Sequence, residues 1–388
     1  MTRAGDFREI GHSGGKYTLT VETDDQGRRG FSLGVSSSSP TPHSIITVQV
    51  TFDGVVIGIS QLEWRPDLAD EGPAQAESFP VFIASDREGL FGHQCRRCGS
   101  YWRSESFPFR WRTTCPNCGL KRPSHEFLTQ GHLAFIGEVL KRVLESQDQD
   151  EDGEYVIDMD AIADEVQKGK KAPDFYYAET AQQSQFRCSV CRSSNDILGK
   201  YGYCSCCGYR NNHQLLENDL QSEVGELKGA SGPERAVKLL VSAFDSCCKD
   251  YVQAIERRSP MTPGRRQALR RLLFHDFGKF PDVVRSYFDI RLLKDLRPDD
   301  KTFLNMMFQR RHVYEHRGGV ADQHYVERSG DPSIRLGMAI RENVENVHRL
   351  KELLVKMTEN FDEGFHSIFP PDETAVRMMG DHSKRHGA

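Results

Sequence analysis

Two sets of paired cysteines constrain the fold of this chain more than any other sequence feature. Each set contains two Cys-x-x-Cys pairs, separated by sixteen residues in the first set and by twelve in the second. A Cys-x-x-Cys pair forms a tight turn that points two thiol groups at one place, and a following glycine suits that turn. We therefore predict two sites of four thiolate ligands, formed by Cys95, Cys98, Cys115 and Cys118, and by Cys188, Cys191, Cys204 and Cys207.

Both sets resemble zinc ribbons, in which two cysteine turns on neighbouring hairpins hold one Zn²⁺. The resemblance implies two structural zinc ions, because four thiolates leave no coordination position open for a substrate. Cys206 is an additional cysteine in the second set, and the spacing together with Gly208 favours Cys207 as the ligand. Eleven cysteines without the apolar core of a signal peptide favour metal binding over disulfide bonds.

Basic and aromatic residues alternate between the two cysteine pairs of the first set. From Cys95 to Arg122 there are seven Lys or Arg residues and one acidic residue, Glu105. This pattern is typical of nucleic-acid binding, because cations contact phosphates and aromatic rings stack on bases. The alternative is that the aromatic residues form the core of the ribbon. The predicted nucleic-acid contacts here are Arg96, Arg97, Arg103, Arg110 and Arg112, and the aromatic residues are Tyr101, Trp102, Phe107, Phe109 and Trp111.

The rest of the chain predicts a multidomain α+β protein. Runs of β-branched residues between turn residues predict a β-rich N-terminal region without catalytic signals. Ten acidic residues and no basic residue from Glu145 to Glu165 predict a solvated linker. An EF-hand calcium loop is the alternative, but Met159 occupies the position of its bidentate glutamate. The predicted domains are 1–80 (β-rich), 81–125 (first ribbon), 126–172 (helix and acidic linker), 173–215 (second ribbon), 231–370 (helical) and 371–388 (polar tail).

Apolar residues at helical spacing predict an all-α C-terminal region. The expected helices span 233–257, 265–274, 281–293 and 301–314, and a last long helix lies within 331–369. The segment His275–Lys279 resembles the core motif of HD-domain phosphohydrolases, but the further His and Asp ligands do not occur in the required order. We interpret this segment as a helix end with Gly278 as its cap.

The candidate reactive site is the sequence Arg311-His312-x-x-x-His316. On a helix, His312 and His316 share one face, and Arg311 is about 100° away around the axis, within reach of the same space. Gly318 and Gly319 then predict the end of the helix. A guanidinium and imidazoles at one helix end suit acid–base chemistry on a phosphate.

This segment resembles the Arg-polar-x-x-x-His signature of HEPN domains, the all-helical modules of many prokaryotic toxin and anti-phage ribonucleases. The resemblance covers roughly residues 231–369. It implies that Arg311 holds a phosphate, that His316 acts as base or acid, and that His312 orients them or shares this role. It also implies that two protomers pair to complete a site for metal-independent RNA cleavage, which leaves a 2′,3′-cyclic phosphate. Arg310 is expected to assist in RNA contact.

Two further observations bear on this resemblance. In one HEPN subgroup the motif continues His-x-Tyr, but Gly318 stands at that place here, which disfavours regulation at the tyrosine. Some HEPN domains are non-catalytic dimerisation modules, so an adaptor that recruits a nucleic acid or a protein partner is the alternative function.

Charge and hydropathy indicate the kind of surface and the cellular location that we expect. The net charge of −5 argues against a uniformly basic surface. Locally, however, the segment from Arg265 to Arg317 contains thirteen basic residues and seven acidic ones. No apolar run reaches the length of a membrane span. We therefore expect a cytoplasmic protein, and the HEPN resemblance implies that its partner is RNA.

Overall fold

The computed structural model describes residues 8–11, 15–37, 44–62, 78–86, 88–108, 110–149, 151–177, 182–225, 227 and 232–386. The chain divides into two compact units. The first unit contains Met1–Gly208 and Asp372–Ala388, and the second contains Tyr209–Pro371. The strands of the described residues lie between Gly15 and Leu198, and most helices lie after them, which confirms the mixed α and β composition predicted from the sequence.

The first unit contains the strands. They are β1 (Gly15–Thr23), β2 (Arg29–Ser37), β3 (Ile45–Thr51), β4 (Val56–Leu62), β5 (Ser78–Ala84), β6 (Phe91–Gln94), β7 (Tyr101–Ser104), β8 (Thr113–Thr114), β9 (Lys121–Arg122), β10 (Gly153–Asp158), β11 (Gln183–Arg187) and β12 (Ser194–Leu198). Its helices are α1 (Gln130–Gln147), α2 (Met159–Gln167) and α10 (Glu373–His386).

Two three-stranded antiparallel sheets share the N-terminal core, with strand orders β10-β1-β2 and β4-β3-β5. Residues alternate between buried and more exposed along β1, where Tyr17, Leu19 and Val21 are buried, as expected for a sheet with one covered face. The Tyr17 hydroxyl donates a hydrogen bond to Pro80 O at 3.0 Å. Buried residues of α1 and α2 complete this core, because apolar side chains recur there at helical spacing.

The acidic linker predicted from the sequence is partly ordered secondary structure. Strand β10 lies within it and pairs with β1, for example Tyr17 with Ile157. The next helix, α2, begins where the Asp158 side chain accepts a hydrogen bond from the Ala161 N–H at 3.0 Å. The segment was interpreted as a linker because its acidic side chains mask the alternation of β10, in which Ile157 is the buried residue.

The two cysteine-rich segments form one continuous sheet with strand order β11-β12-β7-β6. Strand β7 of the first segment pairs antiparallel with β12 of the second, where Trp102 lies opposite Ile197. Further backbone hydrogen bonds join Thr114 N–H to Ser205 O at 2.8 Å and Tyr203 N–H to Pro116 O at 2.9 Å. The sequence predicted two separate ribbons, and this pairing joins them instead.

The second unit is helical. Its helices are α3 (Asn212–Gly225), α4 (Gly232–Arg258), α5 (Pro263–Arg270), α6 (Phe280–Phe288), α7 (Pro298–His316), α8 (Gln323–Arg328) and α9 (Val344–Ile368). The long helix α4 packs against α3, α7 and α9. Its buried side chains include Leu240, Phe244, Cys247 and Tyr251, which recur at intervals of three and four residues.

Two local expectations differ from the structure. Residues 271–279 form turns rather than a helix end, because α5 ends at Arg270 and α6 begins at Phe280. The segment predicted as a polar tail contains α10, and the Asp372 N–H before this helix donates to Cys207 O at 2.7 Å. Among the described helices, none has both the length and the apolar character needed to cross a membrane.

Candidate functional site

The structure brings each set of four predicted cysteines together. The sulfur atoms of each set all lie within 4.8 Å of one another. In the first set, Cys95 and Cys118 are 3.8 Å apart, and Cys98 and Cys115 are 3.7 Å apart. In the second set, the corresponding sulfur distances are 3.7 Å between Cys188 and Cys207 and 3.6 Å between Cys191 and Cys204. Each cluster could therefore hold a metal ion, and Cys207 rather than Cys206 completes the second.

Backbone geometry at the cysteine turns explains why glycine follows most of them. Gly99, Gly119 and Gly208 have φ values of 74°, 68° and 79°, in the left-handed region that favours glycine. The third turn has Arg192 at this position, with φ of 67°. Its N–H still donates to Cys188 O at 2.9 Å, so the turn keeps the same hydrogen bond at the cost of a strained residue.

A serine hydroxyl lies beside the sulfur atoms at both clusters. Ser100 Oγ is 3.2 Å from Cys98 Sγ and 3.3 Å from Cys115 Sγ. Ser193 Oγ is 3.2 Å from the sulfur atoms of both Cys191 and Cys204. A hydroxyl can donate to a thiolate, so these serines stabilise the deprotonated form that binds a metal.

Four of the five arginines predicted to contact nucleic acid in the first cysteine-rich segment are exposed: Arg96, Arg97, Arg110 and Arg112. The fifth, Arg103, is 6% exposed, and its guanidinium forms ion pairs with Asp86 at 2.9 Å and with Asp196 at 2.6 Å. The prediction of a nucleic-acid contact at Arg103 is therefore wrong. Asp196 lies directly opposite Arg103 on β12, so this arginine links the two cysteine-rich segments.

The aromatic residues between the first cysteine pairs belong to the core, as the alternative interpretation expected. Trp102 and Phe107 are each 1% exposed, and Tyr101 is also buried. The indole N–H of Trp111 donates to Cys206 O at 3.0 Å. Phe109 lies outside the described residues. Base stacking on Tyr101, Trp102 or Phe107 is therefore excluded in this conformation.

Helix α7 carries Arg311, His312 and His316 in its last two turns. The ring centroids of His312 and His316 are 4.9 Å apart, which is the contact that their spacing predicts. His312 and Arg311 are partly buried, and His316 is exposed. Burial and the neighbouring charges of His316 and His324 lower the pKa of His312, which keeps this imidazole neutral at neutral pH.

The three arginines near the end of α7 have different environments. Arg310 is 8% exposed and forms ion pairs with Asp331 at 2.8 Å and Glu342 at 3.0 Å. Burial alone would lower the pKa of Arg310, but the hydrogen bond with Asp331 and the charge of Glu342 raise it overall. The prediction that Arg310 contacts RNA is therefore wrong, because its guanidinium is enclosed by carboxylates.

Arg317 and Arg311 differ in whether a carboxylate pairs with them. Arg317 Nε donates to Asp322 Oδ2 at 3.0 Å. Arg311 has no ion pair with any residue of the described part of the chain, and its buried Nε has no hydrogen-bond partner there. Among the described residues, Arg311 is thus the one of these three arginines that no carboxylate neutralises.

His324 is a residue near this cluster that the motif did not include. Its ring centroid is 5.6 Å from that of His312. The short helix α8 carries it, beyond the glycine turn that ends α7. The sequence contained one signal for this residue, a third histidine within a dozen residues of His312. The contact in space could not be predicted, because it depends on how the chain folds back after Gly319.

The segment His275–Lys279 contains no cluster of metal ligands. His275 Nδ1 lies 3.2 Å from Asp245 Oδ1, and the Asp276 carboxylate pairs with Lys279 at 3.1 Å. The only groups of three or more potential metal ligands found within the described ranges are the two cysteine clusters.

Comparisons of the chain with protein-family models, curated proteins and solved structures found no match. The HEPN resemblance therefore remains a prediction that depends on Arg311, His312 and His316.

Proposed function

We propose that the two cysteine clusters are structural zinc sites. A tetrahedral Zn²⁺ with Zn–S bonds of about 2.3 Å places its sulfur ligands about 3.8 Å apart. Four sulfur pairs of the two clusters are separated by 3.6 to 3.8 Å, so the residues fit this ion. Cys95, Cys98, Cys115 and Cys118 would hold one ion, and Cys188, Cys191, Cys204 and Cys207 the other. With four thiolates each, the sites would stabilise the joined sheet rather than activate a substrate.

We propose further that the helical unit is a HEPN-like endoribonuclease whose site contains Arg311, His312 and His316. The observation that carries this proposal is the guanidinium of Arg311, which forms no ion pair within the described residues and lies on α7 next to His312, whose ring contacts that of His316. Its neighbours Arg310 and Arg317 are paired with carboxylates, so Arg311 is the cation that remains for a phosphate.

The proposed reaction is transesterification within the RNA chain. A neutral imidazole takes the proton of a ribose 2′-hydroxyl, and the oxygen attacks the adjacent phosphorus. A protonated imidazole gives a proton to the departing 5′-oxygen, and Arg311 stabilises the additional negative charge on the phosphoryl oxygens. The products are a 2′,3′-cyclic phosphate and a free 5′-hydroxyl. No metal ion is required in these steps.

A homodimer is part of the proposal, since the HEPN resemblance implies that two protomers complete the site. Apolar side chains near the cluster support it, because Val320, Leu336 and Met338 are 43%, 61% and 42% exposed. An exposed apolar group of this kind is typical of a surface that another protein covers. The same observation favours the second candidate, a non-catalytic adaptor that dimerises and recruits a partner.

The exposed arginines of the first cysteine-rich segment would contribute RNA affinity. Arg96, Arg97, Arg110 and Arg112 are exposed, where a phosphate can reach them. Such contacts position a strand without reading its sequence, and their strength falls as the salt concentration rises. A role in toxin or antiviral defence rests on the family resemblance alone.

The test compares Arg311→Ala with Arg328→Ala, a matched control in which an exposed arginine of α8 is removed. Cleavage of end-labelled RNA is measured with both variants at equal protein concentration. We expect Arg311→Ala to reduce the rate by about 10²- to 10³-fold, as for the loss of one group that stabilises transition-state charge. Arg328→Ala is expected to retain the wild-type rate.

Equal rates for wild type and Arg311→Ala would overturn the site assignment. A wild-type protein that binds RNA as a dimer and leaves it intact would favour the adaptor. Light scattering of both variants provides the control for assembly, since neither substitution changes the apolar group near the site.

A further inference from the structure

His324 lies close enough to the proposed catalytic cluster to take part in its chemistry. His312 contacts both other histidines, with ring centroids 4.9 Å from His316 and 5.6 Å from His324. Two of these rings belong to α7, and the third belongs to α8. The cluster therefore presents imidazoles from two helices, although the sequence motif contains only the pair on α7.

The position of His324 is fixed on both sides by contacts with α7. Two residues before it, Asp322 pairs with Arg317 at 3.0 Å and accepts a hydrogen bond from the Tyr325 N–H at 2.9 Å. One residue after it, Tyr325 is fully buried, and its hydroxyl accepts from Arg310 Nε at 3.2 Å. The backbone at His324 is thus held against the helix that carries the proposed site, while its side chain stays exposed.

Cleavage by 2′-hydroxyl attack needs two proton-transfer groups with different tasks. The attacking and leaving oxygens lie on opposite sides of the phosphorus, so base and acid must approach from two directions, each within about 3 Å of its oxygen. His312 and His316 leave one helix in the same direction. His324 comes from another helix, α8, and is therefore the imidazole of this cluster that does not share their helix face.

Charge also distinguishes the two sides. The pKa of His312 is lowered, first by burial, which favours the neutral form that a base requires. The pKa of Asp322 is also lowered, first by the hydrogen bond from the Tyr325 N–H, and the charges of Arg317 and His324 contribute, so a negative charge lies on the α8 side of the cluster.

We propose that His324 is the general acid of this site and that an imidazole of α7, His312 or His316, is the base. This inference rests on the proposed ribonuclease function. The α7 imidazole accepts the 2′-hydroxyl proton while the O2′–P bond forms. The P–O5′ bond breaks, and the imidazolium of His324 transfers its proton to O5′. The two imidazoles then return to their starting states by proton exchange with water.

The test uses a substrate whose leaving group needs no protonation. Two RNA dinucleotides are compared, one with the ordinary 5′-oxygen and one with sulfur at the bridging 5′ position, whose thiolate leaves unaided. We expect His324→Ala to cleave the oxygen substrate about 10²- to 10⁴-fold more slowly than wild type. On the sulfur substrate, the same variant is expected to be within about tenfold of wild type, as the loss of a general acid predicts.

His348→Ala is the matched control, because it removes an exposed histidine from α9 of the same unit. It is expected to cleave both substrates at the wild-type rate. An equal loss on both substrates for His324→Ala, or no loss on the oxygen substrate, would overturn the assignment of His324. A wild-type protein that cleaves neither substrate would instead refute the proposed ribonuclease itself.

Discussion

Adjacent arginines on α7 illustrate how position on a helix decides the role of a residue. Phe303, Met307, Arg310 and Tyr314 recur at intervals of three and four residues and face the core, so Arg310 is enclosed. Its positive charge offsets two buried carboxylates, Asp331 and Glu342. Arg311, one position further, leaves the helix about 100° away and has no carboxylate partner in the part of the chain that the structure describes.

Replacing Arg310 should therefore destabilise the helical unit far more than replacing Arg311. Arg310→Met leaves Asp331 and Glu342 buried without their counter-ion, and we expect the free energy of unfolding to fall by about 3–5 kcal/mol. Arg311→Met is the matched control, with an expected change below about 1 kcal/mol. Urea denaturation followed by circular dichroism at 222 nm measures both. Equal stability of the two variants would show that the buried ion pairs do not form.

The burial of His132 should make the stability of the first unit depend on pH. It is fully buried, its two ring nitrogens have no hydrogen-bond partner within the described residues, and burial lowers its pKa. The unfolded chain therefore binds more protons as the pH falls through about 6.5, the ordinary pKa of histidine. Stability is consequently lost on acidification, by up to about 1.4 kcal/mol per pH unit for one proton.

The free energy of unfolding of wild type and His132→Leu is measured by urea denaturation, at neutral pH and at several pH values below about 6.5. All three tryptophans lie in the first unit, so their fluorescence follows this unit alone. We expect the loss of stability on acidification to be smaller in His132→Leu. The same pH slope in both proteins would mean that His132 does not contribute.

Among the secondary-structure elements, most helices and the cysteine turns were predicted by local sequence signals. Apolar periodicity is a property of neighbouring residues, so the segments that became α4, α7 and α9 could be recognised directly. The pairing of β1 with β10, and of β7 with β12, joins residues that are distant in the chain. Local patterns do not encode such partners, and this is why the joined cysteine-rich sheet and the structural role of Arg103 were missed.

The candidate site was predicted to a similar extent. The spacing of His312 and His316 defines their contact, because an α-helix fixes it. The contact of His324 with His312 depends on the turn after α7 and on the ion pair between Arg317 and Asp322, which lie outside the motif. Arg311 forms no ion pair within the described residues because Asp331 and Glu342 pair with Arg310 and Asp322 pairs with Arg317. These pairings also depend on the folded chain rather than on the motif.

The turns of the second cysteine cluster allow a test of ligand identity. Cys206 and Cys207 are adjacent and buried, but only Cys207 belongs to the group of four sulfur atoms. We expect Cys207→Ser to reduce bound zinc from two ions per chain to one, because a hydroxyl is a poor replacement for a thiolate ligand. Cys206→Ser should retain two. Elemental analysis of the purified proteins decides this, and loss of zinc from Cys206→Ser would contradict the ligand set.

At the scale of the whole molecule, the proposed metal sites and the proposed reactive site belong to different units. The cysteine clusters lie in the first unit, and Arg311 lies in the second, Tyr209–Pro371. The chain leaves the first unit at Gly208 and returns to it at Asp372, and the Asp372 N–H donates to Cys207 O at 2.7 Å. The helical unit is thus a continuous insertion with its own core, so the proposed cleavage can be tested without removing a metal from the cysteine clusters.

The central claim is metal-independent RNA cleavage at the Arg311 cluster, and end-group analysis tests it most directly. Purified wild type and His316→Ala are incubated briefly with total RNA and tRNA in EDTA, and zinc content is checked afterwards. We predict fragments with 2′,3′-cyclic phosphate ends from wild type, none from His316→Ala, and two zinc ions retained per chain. Cleavage by His316→Ala at the wild-type rate, or wild-type fragments with 3′-hydroxyl ends, would contradict the claim.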